Sequence, residues 1–345
     1  MEPFLNDLRV RAVKGYVRTI LLPETDDERV LEAGKILLQE KVARPLFVAS
    51  PEGAPGVRAL GLECAEIDEE RAGVLEALLQ EARASKVGTE DELTPEAARR
   101  LARDPLMYGM YLLRLGEGEG LVAGAVRTSA DVIRAGLWLV GKAEGIRTIS
   151  SSFYMIVPSF RGGAADEVLT FSDCAVVPEP TPEQLADIAI GAADARVSVV
   201  GDEPRVALLS YSTKGFGGKG ESVAAVRKAV ALIRERRPKL IVDGEMQADA
   251  ALVASISQRK SPGNLIAGRA NVLIFPSLDA GNIAYKLVKI LQPKSKALGP
   301  ILQGMKKPMS DLSRGVQADD IVHIAAIVAA QGAKREPNPG RTFSG

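Results

Sequence analysis

Short apolar runs alternate along the chain with longer segments in which apolar residues recur every three or four positions. The first pattern is typical of buried strands and the second of amphipathic helices. Because a helix between two strands allows those strands to lie parallel, the alternation predicts an α/β fold with mainly parallel sheets. The runs predicted to form strands are 19–24, 44–50, 120–126, 148–158, 168–178, 205–212, 239–245 and 271–277.

Helices are predicted in the intervals between these runs. Residues 69–117 read as helical, with Pro95 and Pro105 in the first-turn position that favours proline. The last helix is predicted to begin near Ala318, and His323 is expected to be an ordinary surface or packing residue of that helix. Further helices are predicted at 26–40, 129–143 and 221–237.

Composition excludes several classes of function. The chain has 345 residues, enough for two domains, and equal numbers of basic and acidic residues, 44 each, so no overall charge favours nucleic acid or an anionic membrane. The isolated cysteines, Cys64 and Cys174, match no disulfide or metal framework, and a single histidine makes a zinc site or Ser-His pair hard to build. No apolar run has signal-peptide or membrane-spanning character, so a cytoplasmic protein is predicted.

The segment DLSRGVQADDI, residues 311–321, carries the most distinctive chemistry. Ser313 and Arg314 stand side by side before a glycine, and Asp320 follows in the first turn of the last helix. A hydroxyl donor, a guanidinium that binds anions and a carboxylate base suit the transfer of an acyl group between a thiol and a phosphate. The structural alternative is a turn glycine followed by an acid that favours the helix dipole.

A glycine-rich loop offers a different interpretation. Gly215, Gly217 and Gly220 spell GxGxxG between a predicted strand and helix, and Asp243 ends the next strand. That context is typical of NAD-dependent dehydrogenases. The alternatives are a loop whose backbone NH groups and Lys214 contact phosphate or shape a cleft, and a solvated surface loop.

Six colinear segments together resemble the phosphate acetyltransferase (phosphotransacetylase) family. They run through nearly the whole chain with family-like spacing, which is far more specific than a single motif. The resemblance also weakens the dehydrogenase interpretation, because SYSTKG followed by a variable loop is part of the family pattern. The segments are 22–33, 120–137, 210–222, 243–253, 268–286 and 299–322.

The resemblance implies two αβα domains with the active site in the cleft between them. Domain one would be discontinuous, formed by 1–147 plus 304–345, and domain two would be 148–303. The implied reaction is reversible: acetyl-CoA plus phosphate gives acetyl phosphate plus CoA. CoA is then a substrate, no metal or organic cofactor is expected, and a homodimer is the expected assembly.

The resemblance also assigns residues. Ser313, Arg314 and Asp320 match the family's catalytic serine, arginine and aspartate, with Asp320 as the base for the thiol. Arg134 matches an active-site arginine, and Arg83, whose flanking residues diverge, matches a second one.

Other assignments and departures lie near the first of these arginines. Thr128 and Ser129 match a hydroxyl-rich loop expected to contact phosphate. Many relatives have His in place of Arg127 and Pro in place of Ala135, and the cysteine that often follows SRG is Val316 here. A cysteine acyl-enzyme is therefore disfavoured.

Two further alternatives stay open from the sequence. A phosphate butyryltransferase shares the same chemistry but prefers a longer acyl chain. A non-catalytic sensing module is a different class, since related domains occur fused to malic enzymes, although the retained Ser313, Arg314 and Asp320 argue against it.

Overall fold

The computed structural model describes residues 2–83, 93–163, 166–218 and 220–332. Its strands are β1 (Thr19–Leu22), β2 (Arg44–Ala49), β3 (Cys64–Glu66), β4 (Gly120–Ala123), β5 (Ser150–Val157), β6 (Glu167–Ser172), β7 (Arg205–Leu209), β8 (Ile241–Met246), β9 (Val272–Ile274), β10 (Lys296–Gln303) and β11 (Met309–Asp311). Its α-helices are α1 (Glu2–Ala12), α2 (Glu28–Gln39), α3 (Ala54–Ala59), α4 (Glu69–Arg83), α5 (Pro95–Ala102), α6 (Pro105–Leu115), α7 (Ser129–Ala135), α8 (Pro182–Val199), α9 (Glu221–Arg236), α10 (Ala248–Leu252), α11 (Ala254–Lys260), α12 (Leu278–Leu291) and α13 (Ala318–Gly332).

The strands form one sheet of 11 members in the order β3-β2-β1-β4-β11-β10-β5-β6-β9-β7-β8. The pairs β5–β6, β5–β10 and β10–β11 are antiparallel and the other pairs are parallel. The α/β class with a mainly parallel sheet is therefore confirmed. Each run predicted as a strand contains one, whereas β3, β10 and β11 were not predicted.

The sheet has two halves, and the strands of each half are mostly consecutive in the sequence. Strands β1 to β4 and β11 form one half, and β5 to β10 form the other. The halves meet where β10 pairs with β11, with Ile301 opposite Ser310 and Leu302 opposite Met309. The predicted domain bounds, after residues 147 and 303, would separate the strands at this seam, and the division into domains stays a prediction.

Helix α13 packs against α1, α2 and β4 in the core of the first half. Every residue from Ile321 to Ala330 is buried, and each buried Ile or Val stabilises the fold by about 1.5–3 kcal/mol. The first turn reaches the surface, and Asp320 is half-buried there. Within the described ranges no helix is long and apolar enough to cross a membrane, and the cytoplasmic location stays a prediction.

The carboxyl ends of three strands meet at one edge of the sheet. β4 lies between β1 and β11 and is parallel to both. The segments that follow these strands begin at Pro23, Gly124 and Leu312. Since ligands bind at the carboxyl ends of parallel strands in such folds, this edge is where a site is expected.

The sequence allowed His323 to be either a surface or a packing residue of the last helix. In the structure it is a buried packing residue of α13. Burial of the ring, followed by the charges of Lys296 and Arg9, lowers its pKa to about 4. An unfolded histidine takes up its proton near pH 6.5. The unfolded chain therefore gains a proton as the pH falls below about 6.5, while the folded chain gains it only near 4, so stability is lost across that window.

His323→Gln is expected to remove this part of the acid sensitivity, because glutamine does not titrate. Between pH 7.5 and 4.5 the wild type should lose up to about 3 kcal/mol more free energy of unfolding than the variant. Urea unfolding of both proteins at the two pH values measures the difference. Equal losses in the two proteins would contradict the role assigned to His323.

Candidate active site

A cavity of about 400 Å³ opens at this edge of the sheet. The segments after β4 and β11 form one wall, and β5 and α12 contribute to the other. Within the described part of the chain, no group of three or more His, Cys, Asp or Glu could hold a metal ion. The lining residues are Gly124, Arg127, Thr128, Ser129, Phe153, Ala175, Leu278, Asn282, Tyr285, Lys286, Pro300, Asp311, Leu312, Ser313 and Arg314.

Glu24, which follows β1, fixes the backbone of the first wall. Its buried carboxylate accepts hydrogen bonds from four successive backbone NH groups, those of residues 124 to 127, at 2.8–3.0 Å. A carboxylate has enough acceptor positions to satisfy all four donors. The segment after β4 is therefore held in one conformation by a residue about 100 positions earlier in the sequence.

Arg29, in the first turn of α2, joins that segment to the one after β11. Its guanidinium donates to the carbonyl oxygens of Arg314 at 2.7 Å and Val316 at 2.9 Å, and to that of Ala125 at 3.4 Å. Asp27, the N-cap of α2, orients the guanidinium at 2.6 Å, and this hydrogen bond lowers the pKa of Asp27. Glu24 and Arg29 were not predicted as site residues, although both lie in the family-like segment 22–33.

Three cationic side chains border the cavity: Arg314, Arg127 and Lys286. The side chain of Arg314 is exposed while its backbone carbonyl is anchored by Arg29. Arg127, one of the departures from the family pattern, forms an ion pair with Asp104 at 2.7 Å. Cations on both walls make this cavity suited to an anion.

Thr128 and Ser129 line the cavity, and their contact with phosphate stays a prediction. Thr128 is the N-cap of α7, and its hydroxyl accepts from the backbone NH of Asp131 at 3.2 Å and donates to the side chain of Asp131 at 2.7 Å. Ser129 begins the helix, and its hydroxyl interacts with the carboxyl group of Asp311. Both hydroxyl groups therefore contact an acid, Thr128 that of its own helix and Ser129 that at the end of β11.

Asp311 is a site residue that the sequence reading missed. It ends β11, two positions before Ser313, and its side chain is buried. Burial, and to a smaller extent the charge of Glu24, raises its pKa to about 6, against a lowering by the hydrogen bond with Ser129. Its Oδ1 has no hydrogen-bond partner among the described residues. The only sequence signal was its membership in the DLSRG segment.

Asp320 does not line this cavity. It borders a second one, of about 540 Å³, together with Lys289, Lys294 and Lys296. It forms an ion pair with Lys296, whose Nζ lies 3.9 Å from Asp320 Oδ1. The sequence placed Asp320 together with Ser313 and Arg314, whereas the structure separates them because α13 begins at Ala318 and turns the carboxylate toward the lysines.

Arg83 and Arg134 lie together outside the first cavity. Both guanidinium groups lie near the ring of Trp138, at 4.8 Å and 6.0 Å from its centroid. Trp138 belongs to a π-helical turn, Gly136–Val140, that continues α7. Arg134 also forms an ion pair with Asp131. The structure thus brings these two predicted residues to each other but not to Ser313.

Lys214, predicted to contact substrate, lies in the other half of the sheet, on the segment after β7. It forms an ion pair with the buried Asp243 and donates to the carbonyl oxygen of Gly244 at 3.3 Å. Arg234 also contacts Asp243, at 3.1 Å. Lys214 lines neither of the two cavities, and its contact with substrate stays a prediction.

Two glycines of the glycine-rich loop direct their backbone NH groups to protein acceptors. Gly215 donates to Glu245 Oε1 at 2.7 Å, and Gly217 donates to Ser212 Oγ at 3.0 Å. A dinucleotide fingerprint needs such donors for the pyrophosphate. Since protein acceptors take the donors of Gly215 and Gly217, the geometry disfavours the dehydrogenase interpretation.

Comparison with known proteins gives the class of the chain. The family described as phosphate acetyl/butaryl transferase matches residues 4–329, and the chain belongs to this family. Two relatives named phosphate acetyltransferase are similar over nearly their whole length. The one from Acetivibrio thermocellus is 41% identical over 334 residues, with 95% of this chain and 98% of the relative covered. The one from Treponema pallidum is 40% identical over 338 residues, with the same coverage.

A solved structure supports the same assignment. The crystal structure of a phosphotransacetylase from Streptococcus pyogenes superimposes with a TM-score of 0.85 at 34% identity. The match covers 97% of this chain and 99% of that one. The resemblance inferred from the sequence is confirmed.

Proposed function

We propose that this chain catalyses the reversible transfer of an acetyl group between CoA and inorganic phosphate. The observation that carries the proposal is the cavity in which Ser313 and Arg314 lie with Ser129, Arg127 and Lys286 at the carboxyl edge of the sheet. Acetyl, and not butyryl, is proposed because relatives at about 40% identity carry the name phosphate acetyltransferase. No cofactor is needed, since both partners of the transfer are nucleophiles that exchange one acyl group.

Arg314 would hold the phosphate and Ser313 the reacting carbonyl. A guanidinium binds phosphate oxygens through two parallel hydrogen bonds, a geometry that lysine cannot reproduce. The hydroxyl of Ser313 would donate to the carbonyl oxygen as negative charge develops there. The anchoring of the Arg314 carbonyl by Arg29 supports these roles, because preorganised donors lower the barrier more than mobile ones do.

Asp320 remains our proposed base for the CoA thiol. When the thiol sulfur attacks acetyl phosphate, a bond forms between sulfur and the carbonyl carbon. The bond between that carbon and the oxygen bridging it to phosphorus breaks, and phosphate leaves. The thiol proton passes to the carboxylate of Asp320. Because Asp320 borders the second cavity, the proposal places the thiol between the two cavities. The lysines of that cavity, together with Arg83 and Arg134, would bind phosphates of CoA.

The direct test is thioester absorbance after purified protein is mixed with CoA and acetyl phosphate. Acetyl-CoA should accumulate, and butyryl phosphate should react at least about tenfold more slowly, within the range that a change of chain length produces in an apolar pocket. Faster reaction with butyryl phosphate would favour the butyryltransferase alternative. No thioester from either substrate, in folded protein, would overturn the proposal.

Asp320→Asn is expected to lower kcat at least about tenfold near pH 7, as for the loss of a general base. The residual rate should rise with pH up to about 8.5, where the thiol ionises unaided. The assay compares this variant with Asp194→Asn, which removes an exposed carboxylate of α8 paired with Arg237. A rate that equals that of the control would require another base.

We also propose that the chain forms a homodimer through the outer face of α12. Four apolar side chains on this helix, Ile283, Leu287, Ile290 and Leu291, are between 50% and 78% exposed. They recur with helical spacing and form a continuous stripe, opposite the face that lines the active-site cavity. A second copy of the chain, placing its own stripe against this one, would cover both by a two-fold axis.

The double variant Ile290→Glu/Leu291→Glu is expected to be monomeric, because four charges would be brought together at such an interface. Light scattering coupled to size exclusion measures the mass. Leu115→Glu, an exposed leucine at the end of α6, is the control that should remain dimeric. A wild type that is monomeric, or a double variant that remains dimeric, would contradict this interface.

A further inference from the structure

The active-site cavity contains one buried carboxyl group among its cations. Arg314, Arg127 and Lys286 line the cavity, as expected for a site that binds a phosphate, and Asp311 lines it as well. Asp311 is 2% exposed, and one of its oxygens has no hydrogen-bond partner in the described part of the chain. A buried acceptor without a partner is costly, so a ligand that supplies a donor would be favoured there.

The fold holds this carboxyl group in place. Asp311 pairs with Ala123 of β4, and the next residue, Gly124, turns away with φ +109. A Cβ at Gly124 would lie 2.3 Å from Asp311 Oδ1 and 2.4 Å from the backbone nitrogen of Leu312. Only glycine allows this approach, and Glu24 fixes the glycine NH at 2.9 Å.

Tetrahedral oxyanions differ in what they offer to a carboxylate. Near neutral pH inorganic phosphate keeps at least one P–O–H group, which donates a hydrogen bond. Acetyl phosphate holds its last proton more weakly, and sulfate carries none. An ionised carboxylate therefore accepts phosphate, but it repels acetyl phosphate and sulfate unless it first takes up a proton.

We propose that Asp311 shares one proton with the bound phosphoryl group, as the acceptor of the P–O–H of phosphate and as the donor to acetyl phosphate. The inference rests on the proposed function. When a phosphate oxygen attacks acetyl-CoA, the C–O bond forms and the C–S bond breaks. The P–O–H proton then moves to Asp311, and the thiolate leaves to be protonated by Asp320.

Protons and charges are conserved in this step. Hydrogen phosphate, acetyl-CoA and ionised Asp311 give acetyl phosphate dianion, thiolate and neutral Asp311, with no change in the total number of protons or charges. A pKa of about 6 suits this exchange, because the carboxyl group then holds its proton less tightly than hydrogen phosphate and more tightly than acetyl phosphate.

The charged groups around Asp311 allow a clear pH readout. Glu24 faces it from the segment after β1, Arg127 from that after β4, Arg314 from that after β11 and Lys286 from α12. Proton uptake on binding of a fully ionised anion between pH 7 and 8 is therefore assigned to Asp311.

Isothermal titration calorimetry tests the proposal with sulfate and phosphate as probes. Titrations at pH 8 in buffers of different ionisation enthalpy count the protons taken up with each anion. We expect about one proton per sulfate and about none per hydrogen phosphate, and the Kd of sulfate should rise about tenfold per pH unit from 7 to 8. In Asp311→Asn both the proton uptake and the pH dependence of sulfate binding should disappear, while Asp194→Asn should behave as the wild type.

Several outcomes of these titrations would overturn the proposal that Asp311 shares a proton with the bound anion. Sulfate binding to the wild type without proton uptake, or no sulfate binding at all, would overturn the proposal even if Asp311→Asn failed to fold. Proton uptake that persists in Asp311→Asn would overturn it as well. Proton-linked sulfate binding in a wild type that forms no thioester would support proton sharing and overturn the proposed function, so that the two failures are distinguishable.

Discussion

Replacing Glu24 with glutamine is expected to lower kcat/KM for acyl transfer at least about 100-fold, the loss associated with misplacement of a site by about 1 Å. The single amide oxygen of glutamine cannot accept from all four NH groups of residues 124 to 127, and its NH₂ group would face two of these donors. Hydrogen bonds to a charged group contribute about 1.5–3 kcal/mol each. We therefore also expect a loss of at least about 3 kcal/mol in the free energy of unfolding.

Urea unfolding and the thioester assay measure the two effects of Glu24→Gln. Glu28→Gln is the matched control, because Glu28 is exposed in the first turn of α2, close in sequence to Glu24. If Glu24→Gln kept kcat/KM within about threefold of the control, the fixed conformation of residues 124–127 would not be required for activity.

Arg314→Gln should lower kcat at least about tenfold, since the transition state loses a charge-assisted contact to the phosphate that accepts or releases the acetyl group. Arg314→Lys should restore little, because an ammonium group cannot form the paired hydrogen bonds. The fold should be unaffected, as the side chain is exposed and Arg29 binds the backbone carbonyl, which both variants retain.

Steady-state kinetics of Arg314→Gln, Arg314→Lys and a control, Arg58→Gln, test this expectation. Arg58 is an exposed arginine paired with Glu66 on the surface of the first half of the sheet. An unchanged kcat in folded Arg314→Gln would remove this residue from the mechanism. Full activity of Arg314→Lys would mean that the positive charge at this position is enough and that the paired hydrogen bonds are not required.

The fold was predictable where an element carries its own pattern. Strands such as β2 and β9 are apolar runs with turn residues on either side, and Pro95 and Pro105 begin the helices α5 and α6. β10 contains a Gly-Pro pair and β11 is the mainly polar segment Met-Ser-Asp, so neither shows a strand pattern. Both are defined by pairing with distant strands, which no local window records.

The site was predictable in its chemistry but less so in its geometry. Ser313, Arg314, Thr128 and Ser129 share a cavity, as the family-like segments implied. Asp320 is six residues from Arg314 in sequence, yet the start of α13 directs it into another cavity. Burial of a carboxyl group, as for Asp311, results from the pairing of strands about 190 residues apart in sequence, which the motif alone could not reveal.

The two walls of the active-site cavity are constrained to very different degrees. Glu24 and Arg29 bind the segments after β4 and β11 to each other, so a substitution on that wall disturbs several loops at once. Leu278 and Asn282 reach the same cavity from α12, in the other half of the sheet. A substitution at Leu278 leaves the hydrogen bonds of Glu24 and Arg29 in place, so a directed library can vary this wall of the cavity without disturbing the loops of the other.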